Sequence, residues 1–407
     1  MKVDPASAGL DERQLERIGD HFQARYVDAG RITGCQVVVA RHGHVGYFRS
    51  FGLADRERSV PVDEGTVWRV YSMTKPITGV ALMSLYERGL FQLTDPVTRF
   101  LPQWAGLKVR ERADDGTERL VEPRRPMTVR DLLTHMSGLG FGDGPTIVDR
   151  FSSSGPSKEA RPGGERTLAT LIDYYARFPL EFHPGTQWLY SASTDVCARL
   201  VEIMSGQRFD EYLRDTIFGP LGMTDTGFRV PEEAVARFAA CYRRDGRKNL
   251  VLWDDPETSN YLREPTFLSG GAGLVSTTGD YLRFCEMLAA GGHVDGTRIL
   301  GRKTVELMTA NHLPGGGDLS EFASPGGYGE TGIPGMGFGL TVAVAKTPAE
   351  TGVIGSGGEY MWGGAASTTF WIDPAEDLIV IFMTQLIPSG TFNFRAQLKS
   401  LIYPALL

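Results

Sequence analysis

The chain has 407 residues, 42% of them hydrophobic and 22% charged, with a formal net charge of −7. That length allows one large domain or two to three smaller ones, and the composition is that of an ordinary globular protein. The acidic balance argues against a nucleic-acid surface, which needs a basic face, and suits a neutral or small-molecule substrate.

Glycine is in excess: 50 of 407 residues, about 12% against a usual ~7%. The excess clusters in a few places, which predicts elaborate loops on a folded core. The opening MKVDPASAGLDERQLERIG is charged throughout and shows no secretory signature. No window has the ~18 uninterrupted apolar residues of a membrane span. Residues 11 to 29 read as an amphipathic helix, with Asp11 as cap and Leu15, Ile18, Phe22 and Tyr26 at spacings of three or four. Two β-rich runs then flank His42-Gly43-His44, which reads as a hairpin.

Residues 76 to 310 are mostly helical in pattern. Thr128 caps TVRDLLTH, and TDVCARLVEIMS and GDYLRFCEMLAAG end before glycine or at a small residue. Asp115-Gly116 signals a hairpin turn between 108 and 125. Residues 142 to 165 and 314 to 337 read as long loops, as found at active-site rims or in disordered stretches. Near the end, STTFWI and LIVIFMTQL flank Asp373-Pro374-Ala375-Glu376-Asp377 as a second hairpin, and a helical pattern follows from Phe392 to Tyr403. The expectation is an α/β domain built from residues 1–75 and 270–407, a mostly helical domain over 76–269, and an active site between them.

Cys35, Cys197, Cys241 and Cys285 are far apart and form no CxxC pair, so they read as buried reduced thiols of a cytoplasmic protein. No P-loop, Rossmann or zinc motif is visible, and no cofactor or metal is implied. His42 and His44 lack a third ligand and read as loop residues. Ser356 is not a nucleophile elbow, because Ile354 stands where the motif needs glycine.

The stretch WRVYSMTKPITG carries Ser72 and, three residues on, Lys75. Those positions share one helix face if the helix starts at or just before them. Pro76 supports such a start, because proline is tolerated only in a first turn. A lysine there meets the positive end of the helix dipole and, if buried, a desolvation penalty. Both lower its pKa from ~10.4 toward a value at which the amine can serve as a base. A serine hydroxyl needs such a partner to become a nucleophile. Two further stretches stand out. Tyr190 lies in FHPGTQWLYSASTDV, between a Pro184-Gly185 turn and a helix start; a tyrosine there commonly packs in the core or at a rim. Trp362-Gly363-Gly364 reads as opening the penultimate strand, where paired glycines let another backbone approach closely or mark a bulge.

In this order, the three stretches resemble the serine β-lactamase and penicillin-binding-protein superfamily, in which S-x-x-K carries the nucleophile. Within it the chain looks most like the class C β-lactamase-related carboxylesterases, the family VIII esterases. TVRDLLTHMSGL, HPGTQWLYS, IFGPLGMTDTGF and GGAGLVSTTGDYLRF carry the likeness across most of the length. The resemblance implies an antiparallel sheet flanked by helices, with a helical domain alongside. It implies Ser72 as the acylating serine, Lys75 as its lysine, and Tyr190 as the tyrosine that shares the base role. Trp362-Gly363-Gly364 stands where β-lactamases have Lys-Thr-Gly, and the N–H groups of Ala365 and Ser72 would form the oxyanion hole. Tyr190-Ser191-Ala192 lacks the asparagine of Tyr-x-Asn, and Trp362 replaces a lysine. Both losses remove groups that grip a β-lactam, as in the esterase branch.

The expected function is hydrolysis of short-chain carboxylic esters through an acyl-enzyme, with a small-molecule ester as partner and no nucleic acid or membrane. Acyl transfer to an alcohol uses the same residues and stays open, as do a β-lactamase or D-amino-acid peptidase, the natural ester and the oligomeric state.

Overall fold

The computed structural model describes residues 1–112, 116–140, 167–323 and 334–407. His42 and Gly43 take φ values of 54° and 73°. Two consecutive positive φ angles define the type I′ turn, whose twist matches that of paired strands. It joins strands Gly34–Arg41 and His44–Asp55. The C-terminal hairpin, Thr369–Asp373 and Leu378–Thr384, lies alongside, with Val37 opposite Phe382 and Val39 opposite Val380. The two ends of the chain therefore share one sheet. Its eight strands run Met336–Phe338, Ala343–Ala345, Tyr360–Gly363, Thr369–Asp373, Leu378–Thr384, Gly34–Arg41, His44–Asp55 and Val60–Pro61. Every neighbouring pair is antiparallel.

All eight residues of Gly34–Arg41 are buried, so both sheet faces are covered. On one face Phe22 of helix Glu12–Phe22 and Phe394 of helix Phe394–Ile402 meet Phe382, with ring centres 5.1 and 4.9 Å away. Phe370 lies opposite Ile381, next to Phe382 in the chain, and so points to the other face. There it meets Tyr281 of helix Thr278–Ala289 at 5.3 Å. This is the antiparallel sheet flanked by helices that the family resemblance implies. The N-terminal helix is capped as expected, with Asp11 Oδ1 accepting the N–H of Gln14 at 3.1 Å, and it continues into a π turn at Gln23–Val27.

Helix Thr74–Glu87 is buried on nearly all sides, from Thr74 through Met83, as a helix apolar all round must be. It packs against Ser193–Ser205, which ends at Gly206 in the left-handed conformation. The hairpin expected between 108 and 125 is present as Val109–Arg112 and Glu118–Val121. A second one, Cys241–Arg244 with Leu250–Asp254, interrupts the pattern that reads as helical, and Leu386-Ile387 joins it in parallel. Segment 314–337, of which residues 324–333 lie outside the described residues, is not one long loop where it is described. It holds a 3₁₀ turn at Pro314–Gly316 and a helix at Leu319–Phe322, then enters strand Met336–Phe338. Asp318 fixes that helix through a capping box with Glu321. Residues 142–165 lie outside the described residues. Among the described residues, no helix is long and apolar enough to cross a membrane.

Candidate active site

Ser72 sits in a 3₁₀ turn, Tyr71–Met73, that runs straight into helix Thr74–Glu87. Tyr71 takes φ 42°, a left-handed conformation costing a non-glycine residue about 1–3 kcal/mol unless its surroundings hold it. They do so here. Thr74 Oγ1 donates to the Tyr71 carbonyl at 2.6 Å, and the Tyr281 hydroxyl donates to the Met73 carbonyl at 2.9 Å. The strained turn is therefore fixed from both sides.

Lys75 follows as the second residue of the helix. Its Nζ donates to Ser72 Oγ at 3.3 Å and to the Gly271 carbonyl at 2.7 Å. Only 3% of the residue is exposed. Burial drives its pKa down to about 7, with Asp195 opposing the shift in part. The sequence reading anticipates this direction, and desolvation is its main cause.

Tyr190 arrives from 118 residues further along, just before helix Ser193–Ser205. Its hydroxyl donates to Ser72 Oγ at 2.7 Å, and Lys75 Nζ lies 4.4 Å from its ring centre. Ser72 Oγ thus contacts both an amine and a phenol. Behind Tyr190 stands an aromatic wall. Trp188 stacks on it at 6.1 Å, His135 lies at 5.0 Å and Trp362 at 5.6 Å, while Phe338 lies 5.5 Å from Trp362. Such a wall excludes water and favours the uncharged amine.

Trp362 and Gly363 close strand Tyr360–Gly363; they do not open the penultimate strand. The neighbouring strand stops at Ala343, opposite Met361, so on that side the ladder does not reach Trp362 or Gly363. The Gly364 N–H donates to the Thr368 carbonyl at 2.8 Å. A Cβ at Gly364 would lie 2.4 Å from the Val70 carbonyl oxygen, so glycine is what lets this segment approach the serine turn. The backbone that comes close is the chain's own. Ala365 packs with Tyr71 in one buried cluster. Its N–H makes no hydrogen bond among the described residues. Ser72 holds the second position of its 3₁₀ turn, where an N–H has no acceptor within the turn. Two uncommitted N–H groups on adjoining segments are what a developing oxyanion requires.

Three residues, Asp195, Gly271 and His135, make contacts that go beyond the sequence reading. Asp195 lies in the first turn of helix Ser193–Ser205. Its Oδ1 also accepts the Ser269 hydroxyl at 2.7 Å and the Gly271 N–H at 2.9 Å. Gly271 is itself the carbonyl partner of Lys75. His135 is fully buried against Tyr190, and burial, reinforced by the Lys75 charge, holds its pKa well below the usual histidine value. In the sequence, Gly271 and His135 stand out only as letters within longer phrases. Among the described residues, no group of three His, Cys, Asp or Glu side chains could hold a metal ion.

An amine poised near neutral pKa, a phenol and a serine hydroxyl stand together here, the set of groups that activating a serine hydroxyl calls for. Esterase EstB of Burkholderia gladioli is 33% identical over 408 residues, covering 95% of each protein. The solved structure of EstCE1, described as a hydrolase with promiscuous acyltransferase activity, covers 96% of this chain and 99% of its own. It has a TM-score of 0.78 and 27% identity. Simvastatin synthase (LovD) from Aspergillus terreus covers 97% and 98%, with a TM-score of 0.76 and 25% identity. The beta-lactamase family model matches residues 20–402, and the chain belongs to that family.

Proposed function

We propose that Ser72 is the acylated nucleophile of a serine carboxylesterase. As Ser72 Oγ bonds to the ester carbonyl carbon, its proton passes to the Lys75–Tyr190 pair. The carbonyl oxygen becomes an oxyanion facing the N–H groups of Ser72 and Ala365. The C–O bond to the alcohol breaks as that alcohol takes up the proton. Water then gives a proton to the same pair as its oxygen bonds to the acyl carbon; the bond from that carbon to Ser72 Oγ breaks, Ser72 takes the proton back, and the acid leaves. The observation that carries this reading is the double contact on Ser72 Oγ, from Tyr190 at 2.7 Å and from Lys75, with its pKa near 7, at 3.3 Å.

The end-to-end likeness to an esterase supports the substrate class. Short acyl chains are carried from the family resemblance, and Trp362 in place of a cation favours a neutral acyl group. Transfer of the acyl group to an alcohol other than water is a second reading, favoured by the likeness to EstCE1 and LovD. The same reading assigns Ser72, Lys75 and Trp362–Ala365 to a domain of residues 1–75 and 270–407 and its borders, and Tyr190 to a domain of 76–269. Four buried free cysteines suit a reducing, cytoplasmic setting. Intact-protein mass spectrometry after treatment with an aryl phosphonate tests the assignment. One adduct, absent in Ser72→Ala, is expected; an adduct on Ser191 or Ser356 overturns it.

A further inference from the structure

We infer that His135 is the positioning residue for Tyr190, gripping the peptide on both sides of it and thereby setting where its hydroxyl meets Ser72. The inference rests on the reading of Tyr190 as a proton-transfer group.

The carbonyl of His135 accepts the N–H of Leu189 at 3.0 Å, and its Nδ1 accepts the N–H of Ser191 at 3.4 Å. These donors are the immediate neighbours of Tyr190 in the chain. The histidine ring also lies 5.0 Å from the Tyr190 ring, tilted by 41°. One residue therefore holds the tyrosine's backbone at two points and braces its ring at a third. No other residue in the aromatic wall does all three.

His135 adopts φ 57° to make these contacts. Side chains other than glycine rarely enter that region, and residues kept there cluster at functional sites. Because Nδ1 accepts a backbone N–H, the ring proton belongs on Nε2, which faces Thr194 Oγ1 at 3.5 Å. A protonated ring would turn an N–H toward the N–H of Ser191, so the grip requires the neutral form. Ser191 Oγ, 3.5 Å from Nδ1, continues through Ser193 to Ser137 at 2.7 and 2.8 Å. That hydroxyl chain ties the Met136–Leu139 segment to the start of helix Ser193–Ser205. The residues that follow His135 and those that follow Tyr190 are thus joined through hydroxyl groups.

His135 is fully buried and its side-chain polar contacts are with Ser191 and Thr194, so on this inference its effect on turnover runs through the tyrosine hydroxyl. Misplacing a catalytic group by about 1 Å costs on the order of 10²-fold in rate. His135→Ala should lower kcat on p-nitrophenyl acetate by ~10- to 100-fold, with KM within ~3-fold. His135→Asn offers an amide oxygen near Nδ1 and tolerates positive φ, so it should recover kcat to within ~5-fold of the parent. In a Tyr190→Phe background, His135→Ala should cost no more than ~2-fold further, because the hydroxyl it positions is gone. Should the alanine variant fail to fold, His135→Gln, whose acceptor is displaced by one bond, goes through the same cycle with the same non-additivity expected. Additive losses, or Asn no better than Ala, overturn the inference and leave the role of Tyr190 standing. Full activity in Tyr190→Phe alone overturns both.

Discussion

Asp195 reaches Lys75 through a single shared residue: its Oδ1 accepts the Gly271 N–H at 2.9 Å, and the Gly271 carbonyl accepts Lys75 Nζ at 2.7 Å. The carboxylate therefore acts on the amine in two ways. It fixes the carbonyl that orients Nζ, and its charge raises the lysine pKa against the larger lowering by burial. Asp195→Asn separates the two, since the amide oxygen can keep accepting from Ser269 and Gly271. With the charge removed, the Lys75 pKa falls further. A base must be unprotonated to act, so the acid limb of kcat/KM should move to lower pH while the plateau holds. An acid limb that moves to higher pH would show that the carboxylate does not act on Lys75 as described.

Lys75 also sets a stability cost with a definite pH dependence. Its folded pKa is about 7, and an unfolded lysine titrates near 10.4. Between those values the unfolded chain holds the proton and the folded chain does not. Stability therefore rises with pH across that window, and the penalty is greatest below pH 7. Lys75→Met removes it. The variant should be inactive yet more stable than the parent by a few kcal/mol at pH 6, with the gap closing toward pH 10. Thermal melts at the two pH values read this directly. An equal gap at both would mean that Lys75 is not selectively neutral in the fold.

Gly364 links fold and chemistry at one atom. An added Cβ would lie 2.4 Å from the Val70 carbonyl oxygen and 2.3 Å from Thr368 Oγ1. The segment carrying the Ala365 N–H would have to move off the turn that carries Ser72. Gly364→Ala should cost ~1–3 kcal/mol of stability through overpacking. It should also lower kcat by ~10-fold or more, since one oxyanion donor is typically worth 10²–10³-fold. A variant that lost stability and kept kcat would remove Ala365 from the oxyanion hole.

How much of this was legible depends on the distance over which each feature is encoded. The serine–lysine contact lies within one helical turn, and its spacing and proline state it in the sequence. The His42-Gly43 turn and the Asp11 cap are local in the same way. The hairpin at Cys241–Asp254 also carried a local sign, Asp245-Gly246, hidden within a region otherwise helical in pattern. Segment 314–337 was obscured by its glycines, although Asp318 and Glu321 spell a capping box. Tyr190 is different. Nothing in its neighbourhood says that it meets a serine 118 residues away; family likeness had to bring it in. The grips of Asp195 on Gly271 and of His135 on the flanks of Tyr190 are contacts between segments remote in sequence, and no periodicity records them.

Trp362 tests the substrate class. The residue is 5% exposed, packed 5.6 Å from Tyr190 and 5.5 Å from Phe338, and its indole N–H has no hydrogen-bond partner among the described residues. Trp362→Phe therefore gives up no hydrogen bond within the protein. It should leave stability within ~1 kcal/mol and keep kcat/KM on p-nitrophenyl acetate and butyrate within ~5-fold, the size expected when only apolar packing is altered. Trp362→Lys does something else: it sets an ammonium among aromatic rings near Lys75, which the proposed mechanism uses in its uncharged form. A desolvated cation without a partner costs several kcal/mol, so ester turnover should fall sharply. Turnover of nitrocefin, whose carboxylate the new cation could meet, should fall less, which raises the nitrocefin-to-ester ratio by ~10-fold or more. In the parent enzyme that ratio should be far below one. A parent that hydrolyses nitrocefin as fast as the esters would show that the uncharged tryptophan wall does not exclude an anionic substrate, and β-lactam hydrolysis would then become the better reading of the site.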